Sequence, residues 1–301
     1  MVGNSTLKIW KLLLLLSACS SCSFPIDLEY PASSPKLVVN ALFSPDGPIR
    51  LSLHSAGQPQ GAGAVPIDNA TLSLFEDGLF QGHMESVGNG EYRSGLVPKT
   101  GHRYSLSGLA TGFDPIFAED SVPLPPLLDS LTFHKNATVD EWGTFTNIVR
   151  ISFRNEAGVE EYFQVGILAP FEGQDSMLTN YGGINPYALN DPILQEEGML
   201  DYFSFSYLVF RDRSIDGRVY SMDIPTYHRD PSSSPRLQLS TLSEGLFNFQ
   251  KSFIRHLDQQ SGFNDRLTIL WNEPHQLQGN IEGGLGIFAA YQMVEVHFTP
   301  E

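Results

Sequence analysis

Ile49-Arg50-Leu51-Ser52-Leu53-His54 alternates apolar and polar residues without a break, and Val149-Arg150-Ile151-Ser152-Phe153-Arg154 repeats the pattern about a hundred residues later. A period of two puts every second side chain on one face, the signature of a strand with one side buried. Working outward from the first stretch, the run from Lys36 through Leu37-Val38-Val39 to Phe43 reads as a strand, as do Leu72 with Leu74, Glu91-Tyr92-Arg93, and Tyr104 with Leu106. Asp77-Gly78 is a favoured hairpin turn, and Gly88-Asn89-Gly90 is a second turn signal. Short strands at this spacing predict an immunoglobulin-like or fibronectin-like β-sandwich over residues 36–121.

Composition agrees with an all-β chain. Of 301 residues, 27 are Gly, 20 are Pro and 20 are Phe, while charged residues make up 17%. That favours short strands and turns over long surface helices. The balance of 18 Lys plus Arg against 34 Asp plus Glu gives a net charge of −16, which excludes a basic nucleic-acid binder, and 41% hydrophobic residues exclude a disordered chain.

Val122-Pro123-Leu124-Pro125-Pro126-Leu127 lacks the amide donors of a central strand. Residues 122–128 are therefore read as a Pro-rich linker and 129–301 as a second, mainly β domain. Within it, residues 155–158 form a turn between the strand at Val149 and another carrying Phe163, Val165 and Ile167. Residues 173–191 read as a long excursion, and Phe203, Phe205, Tyr207 and Val209 as a strand. One helix interrupts the pattern: Leu242, Leu246, Phe249, Phe253 and Leu257 share a helical stripe, predicting a helix over 242–259 with a capping box at Thr241-Leu242-Ser243-Glu244. Closing strands are expected at 267–271 and 287–298.

The amino terminus carries an address. Lys8 and Lys11 accompany the run Leu12–Leu16, followed by Ser17-Ala18-Cys19, and this apolar stretch is far shorter than the ~20 residues a spanning helix needs. Residues 1–18 read as a signal peptide, Cys19 as the lipidated residue, with Cys22 as the alternative, and 19–35 as a tether. Both cysteines lie in this segment, so none is left for a disulfide in the body. Removing residues 1–18 deletes two lysines and no acids, taking −16 to −18. Anionic headgroups repel such a body, so attachment to the membrane is expected to depend on acyl chains.

No constellation of catalytic residues is legible. The eight histidines form no His-x-x-x-His pair, and no Gly-x-Ser-x-Gly elbow is present. Glu160-Glu161 and Glu196-Glu197 are paired acids whose adjacency signals solvation. Gly284-Leu285-Gly286-Ile287-Phe288-Ala289 imitates a dinucleotide fingerprint but leaves too little chain for the unit it requires, and reads as a glycine-rich entry to the final strand. Asp212, Ser214, Asp216 and Asp223 reproduce the oxygen rhythm of a calcium loop, with Gly217 at the sixth position, but the site lacks the flanking helix and the closing Glu. No cofactor is expected, and the Asp212–Asp223 rhythm reads first as a strand-connecting turn.

Taken in order, Leu16-Ser17-Ala18-Cys19, Ile26-Asp27-Leu28, Leu37-Val38-Val39, the Pro-rich hinge, Phe210-Arg211-Asp212 with Asp216-Gly217, the late helix and Asn280-Ile281-Glu282-Gly283-Gly284-Leu285-Gly286-Ile287-Phe288 resemble the Bacteroidota lipoproteins grouped as domain of unknown function 4249. The resemblance covers almost the whole chain. It implies a secreted, lipidated, largely β protein of the outer membrane, associated with TonB-dependent transporters, and it brings no catalytic residues. In the family the lipidated cysteine often stands a few residues before the Ile-Asp-Leu segment, which here is Cys22. The expected function is that of a non-enzymatic accessory or ligand-binding partner of such a transporter; the alternative is a structural or adhesive envelope protein.

Overall fold

A computed structural model describes residues 34–56, 63–171, 174–179, 183–201, 207–215, 217–226, 235–260 and 276–299. Cys19, Cys22, Asp216, Phe203, Phe205 and the strand expected at 267–271 lie outside the described residues. Pro35–Glu301 is one compact unit.

The strands in chain order are β1 (Leu37–Phe43), β2 (Arg50–Ser55), β3 (Val65–Pro66), β4 (Thr71–Glu76), β5 (Leu79–His83), β6 (Glu85–Gly88), β7 (Glu91–Arg93), β8 (Arg103–Leu109), β9 (Ile116–Ser121), β10 (Leu127–Val139), β11 (Phe145–Arg154), β12 (Tyr162–Phe171), β13 (Gln174–Thr179), β14 (Leu208–Arg211), β15 (Val219–Thr226), β16 (Arg236–Leu242) and β17 (Leu285–His297). Two α-helices accompany them among the described residues, α1 (Pro192–Glu196) and α2 (Glu244–Gln260). The chain is all-β, as its alternation requires.

A long sheet runs β13-β12-β16-β17-β1-β2-β7-β6, with β14 and β3 attached at its side; β5-β4-β8-β9 and β10-β11-β15 form two smaller sheets. Leu72, Leu74, Tyr104 and Leu106 of the four-stranded sheet close over Val39, Leu51 and Leu53 of the long one, which makes a sandwich. A second core gathers Val149, Ile151 and Phe153 of β11 with Phe163, Val165 and Ile167 of β12 and with α2 through Leu246 and Phe247. The turns follow their residues. Asp77 and Gly78 both have positive φ, as do Asn89 and Gly90, which is the geometry a two-residue hairpin needs to match the strand twist.

β17 ties the halves together. Phe288 and Ala290 point into the first core and Ile287 and Ala289 into the second. The strand pairs in parallel with β1 through Leu285–Ala290 and antiparallel with β16 through Tyr291–His297. The Pro-rich segment falls between the two cores in sequence but is stitched to these strands: Thr241 donates to the Leu124 carbonyl and Gln292 to the Pro123 carbonyl.

Two details depart from the sequence reading. Residues 174–179 of the expected excursion form β13, which pairs with the end of β12. The helix cap is Ser243, not Thr241. Ser243 Oγ accepts from the Leu246 amide at 3.2 Å and its carbonyl accepts from the Phe247 amide, whereas Thr241 is still part of β16. The box fails because the strand continues to Leu242 before the chain turns.

Candidate functional site

The last strand determines where a site can form. Its first half is closed on both edges. Parallel β1 covers one edge, and side chains cover the other in place of a strand. Asn280 Oδ1 accepts from the Phe288 amide at 2.9 Å, and Asn280 Nδ2 donates to the Phe288 carbonyl at 2.8 Å. Asp120 Oδ2 accepts from the Ala290 amide at 3.1 Å, and the Ser243 amide donates to the Ala290 carbonyl. Asp120 also accepts from the Ser243 hydroxyl, so one carboxyl joins β9, β17 and the start of α2. Burial pushes the Asp120 carboxyl up to about 6, the hydrogen bonds opposing it.

The glycines of the 279–286 string serve this packing. A Cβ on Gly286, whose φ is +99°, would stand 1.9 Å from the Val39 carbonyl oxygen, and one on Gly283, with φ +74°, 2.1 Å from that of Pro115. The most specific part of the family-like string therefore fits a close backbone approach, and Gly284-Leu285-Gly286 is the entry to a strand that packs against β1.

The second half of β17 is open. Beyond Ala290 it keeps β16 on one edge, and no described strand pairs with the other. β10 is likewise an edge strand, paired with β11 alone. Two adjoining cavities of about 430 and 520 Å3, which share Leu128, Asp129 and Val296, lie between these two edges. Their apolar lining includes Leu131, Phe133, Val294 and Phe298, the rings of Phe133 and Phe298 stacking at 6.1 Å. Asp129, Ser130, His297 and Thr299 interleave polar groups with these apolar ones, and on the flank Arg154 Nη2 donates to Asp129 Oδ1 at 2.5 Å. Unpaired strand edges carry backbone donors and acceptors in a row, the surface that receives an added strand. Nothing in the local residue pattern marks this groove, because edge status depends on which strands pair.

The sequence-nominated oxygens do not converge. Asp223 lies on β15 opposite Arg150, which grips it through Nε at 2.6 Å and Nη2 at 2.7 Å. That rung is five residues from Asn155, about 17 Å at the antiparallel rise. Ser214 donates to Glu196 at 2.6 Å. Asp212 is buried instead against Asn155, whose Nδ2 donates to it at 2.7 Å. Among the described residues, no three His, Cys, Asp or Glu side chains form a metal-holding group.

The paired acids divide their roles. Glu160 is an exposed partner of Arg213, while Glu161 is half-buried and faces Asp212. Glu197, at the end of α1, accepts from Arg211 at 2.9 Å and from Lys251, and the Arg211 guanidinium lies 5.2 Å from the Phe247 ring. Burial raises the Glu197 carboxyl, but Arg211 and Lys251 outweigh it and hold it below the ordinary range. These charges compensate one another and tie α2 to α1.

No helix among the described residues is long and apolar enough to cross a membrane. No curated protein matches the sequence. Among solved structures, β-glucuronidase 3 of Bacteroides uniformis is 12% identical with a TM-score of 0.20, over 70% of this chain and 23% of that one. This chain thus spans less than a quarter of that enzyme's length. A candidate carbohydrate-binding protein from Bacteroides uniformis ATCC 8492 is 13% identical with a TM-score of 0.23, over 87% of this chain and 98% of that one. An α-L-rhamnosidase from Dictyoglumus thermophilum is 11% identical with a TM-score of 0.27, over 70% and 27%. Likenesses this loose carry no argument about activity. The family comparison is of a different kind, since the profile described as domain of unknown function (DUF4249) matches residues 23–296, nearly the whole chain. The chain belongs to the DUF4249 family.

Proposed function

We propose that this protein is a lipid-anchored component of the outer membrane that catalyses no reaction and acts as an accessory or ligand-binding partner of a TonB-dependent transporter, docking through the groove between β10 and β17. The groove carries the reading. A trough of mixed apolar and polar lining between two unpaired strand edges suits an extended polypeptide segment, whose main chain gains ladder hydrogen bonds while alternate side chains enter the trough. Exposed edges this long are normally blocked in a protein that works alone. The anchor is Cys19, or Cys22 as the family pattern suggests, and acyl chains hold the acidic body to a membrane whose headgroups its charge of −18 repels.

The test is affinity recovery from detergent-solubilised membranes of the native host. Stoichiometric recovery of a β-barrel transporter, lost in a chain carrying Val294→Lys and Val296→Lys, is the expected result. Recovery of peptidoglycan or matrix components without a transporter overturns the reading in favour of a structural or adhesive role. Mass spectrometry of the mature terminus separates acylation at Cys19 from acylation at Cys22, and an unmodified terminus removes the anchor from the account.

A further inference from the structure

The four-stranded sheet β5-β4-β8-β9 closes over the first core with one face and turns the other to solvent. On that outer face Ser73 of β4 lies opposite His83 of β5 and Ser107 of β8, and Ser107 lies opposite Phe117 of β9. The next rung runs Phe80, Phe75, Ser105, Glu119. Opposed residues of an antiparallel pair share a face, so aromatic rings stand on either side of a floor of serines.

The solvated face of an antiparallel sheet is ordinarily polar. Here Phe80 is 55% and Phe117 40% exposed, and Leu109, also exposed, is the diagonal neighbour of Phe117. The rings at the β5 end are braced. Phe80 packs edge-on against Phe75 at 5.6 Å and against His83 at 5.2 Å, and His83 Nδ1 lies 3.1 Å from the Ser73 hydroxyl. At the other end the Phe117 main chain both donates to and accepts from that of Glu282. Exposed rings held this firmly form a surface that meets the apolar face of something else. Three strand spacings, about 14 Å, separate His83 from Phe117, with only Ser73 and Ser107 between them on that rung.

Charge decides among the molecules that offer flat faces. Arg103 and Glu119 bring the fixed charges to this face, and they neutralise each other at 3.2 Å, so neither is left to hold a charged ligand. Nucleobases stack on exposed rings, but a phosphate backbone is repelled by a chain of net charge −16. An uncharged molecule with apolar ring faces and hydroxyl edges fits both the rings and the serines. Pyranose sugars have this form: their C–H faces lie on aromatic rings, and their hydroxyls bond to serine hydroxyls and imidazole nitrogen.

We infer that the outer face of β5-β4-β8-β9 binds a neutral glycan, with Phe80 and Phe117 stacking on sugar rings and His83 and Ser107 bonding to hydroxyls between them. The span between the rings exceeds one pyranose, so the ligand is an oligosaccharide chain. A β-linked glucan presents the flattest C–H faces, because its ring substituents are equatorial and its successive rings form a ribbon. This face shares no residue with the lining of the groove between β10 and β17, and binding here does not require a transporter.

The test is isothermal titration of the full chain with cellopentaose, and with polygalacturonate as an acidic glycan. Binding of cellopentaose with a Kd of about 10⁻³ M is expected, as suits a shallow, open face, and none of polygalacturonate. Phe80→Ala and Phe117→Ala are each expected to weaken binding about tenfold, and Phe80→Tyr to retain it. Both side chains are exposed, so these variants fold. Absence of binding, equal binding of the two glycans, or a Kd that Phe80→Ala and Phe117→Ala leave unchanged overturns the inference. So does sedimentation showing a dimer that Phe80→Ala dissociates, which would make this face a contact between copies of the chain.

Discussion

The two halves of β17 belong to one strand and have opposite surroundings. From Leu285 to Ala290 one edge is covered by β1, Asn280, Asp120 and the start of α2 cover the other at Phe288 and Ala290, and from Ile287 on both faces are buried. From Tyr291 to His297 one edge is paired and the other opens on the groove beside β10. The closed half carries the architecture, and the open half leaves one strand edge unpaired among the described residues. Substitutions should therefore separate along the strand, those before residue 291 acting on stability and those after it on association.

The largest effect is expected at Gly286. Gly286→Ala forces a Cβ into the Val39 carbonyl at a φ that disfavours any side chain, so a loss above ~4 kcal/mol or failure to fold is expected in denaturant unfolding. Asp120 comes next. Its carboxyl is raised from 3.8 to about 6, so the folded state holds the proton more tightly than the unfolded chain does. The stability this gives is complete below pH 3.8 and is lost as pH rises through 6, by roughly 3 kcal/mol. Asp120→Asn is expected to remove that slope, measured as the difference between wild-type and variant unfolding free energies across pH 4–7. Asn280→Ala strips both partners from the buried Phe288 main chain and is expected to cost about 2 kcal/mol. The smallest stability change belongs to the open half. Val294→Lys with Val296→Lys is expected to cost about 1 kcal/mol or less, since both side chains are only half-buried, while abolishing transporter recovery. A sharp stability loss there would erase the distinction between the halves.

What could be read in the residues follows the range of the interactions. Alternation at Ile49–His54 and Val149–Arg154 revealed β2 and β11 because period two is local, and the spacing of Leu242, Leu246, Phe249, Phe253 and Leu257 revealed α2 for the same reason. The parallel pairing of β1 with β17 joins residues some 250 positions apart and leaves no local trace. The Asn280–Phe288 string stands out as unusual, but its purpose appears only once Val39 and Pro115 lie against its glycines. The adjacency of Glu160 and Glu161 signals solvation, which holds for Glu160 and fails for the half-buried Glu161. That Glu161 turns inward toward Asp212 depends on the β12–β14 register.

The docking account is tested most directly by hydrogen–deuterium exchange along β17, comparing the free chain with the chain in complex with the transporter that the proposal calls for. Peptides covering residues 285–290 should exchange slowly in both states. Those covering 291–297 should exchange faster in the free chain and become protected in the complex, together with β10. Unchanged exchange at 291–297 and at β10 in a complex that nevertheless forms would contradict the account and place the docking surface elsewhere on the molecule.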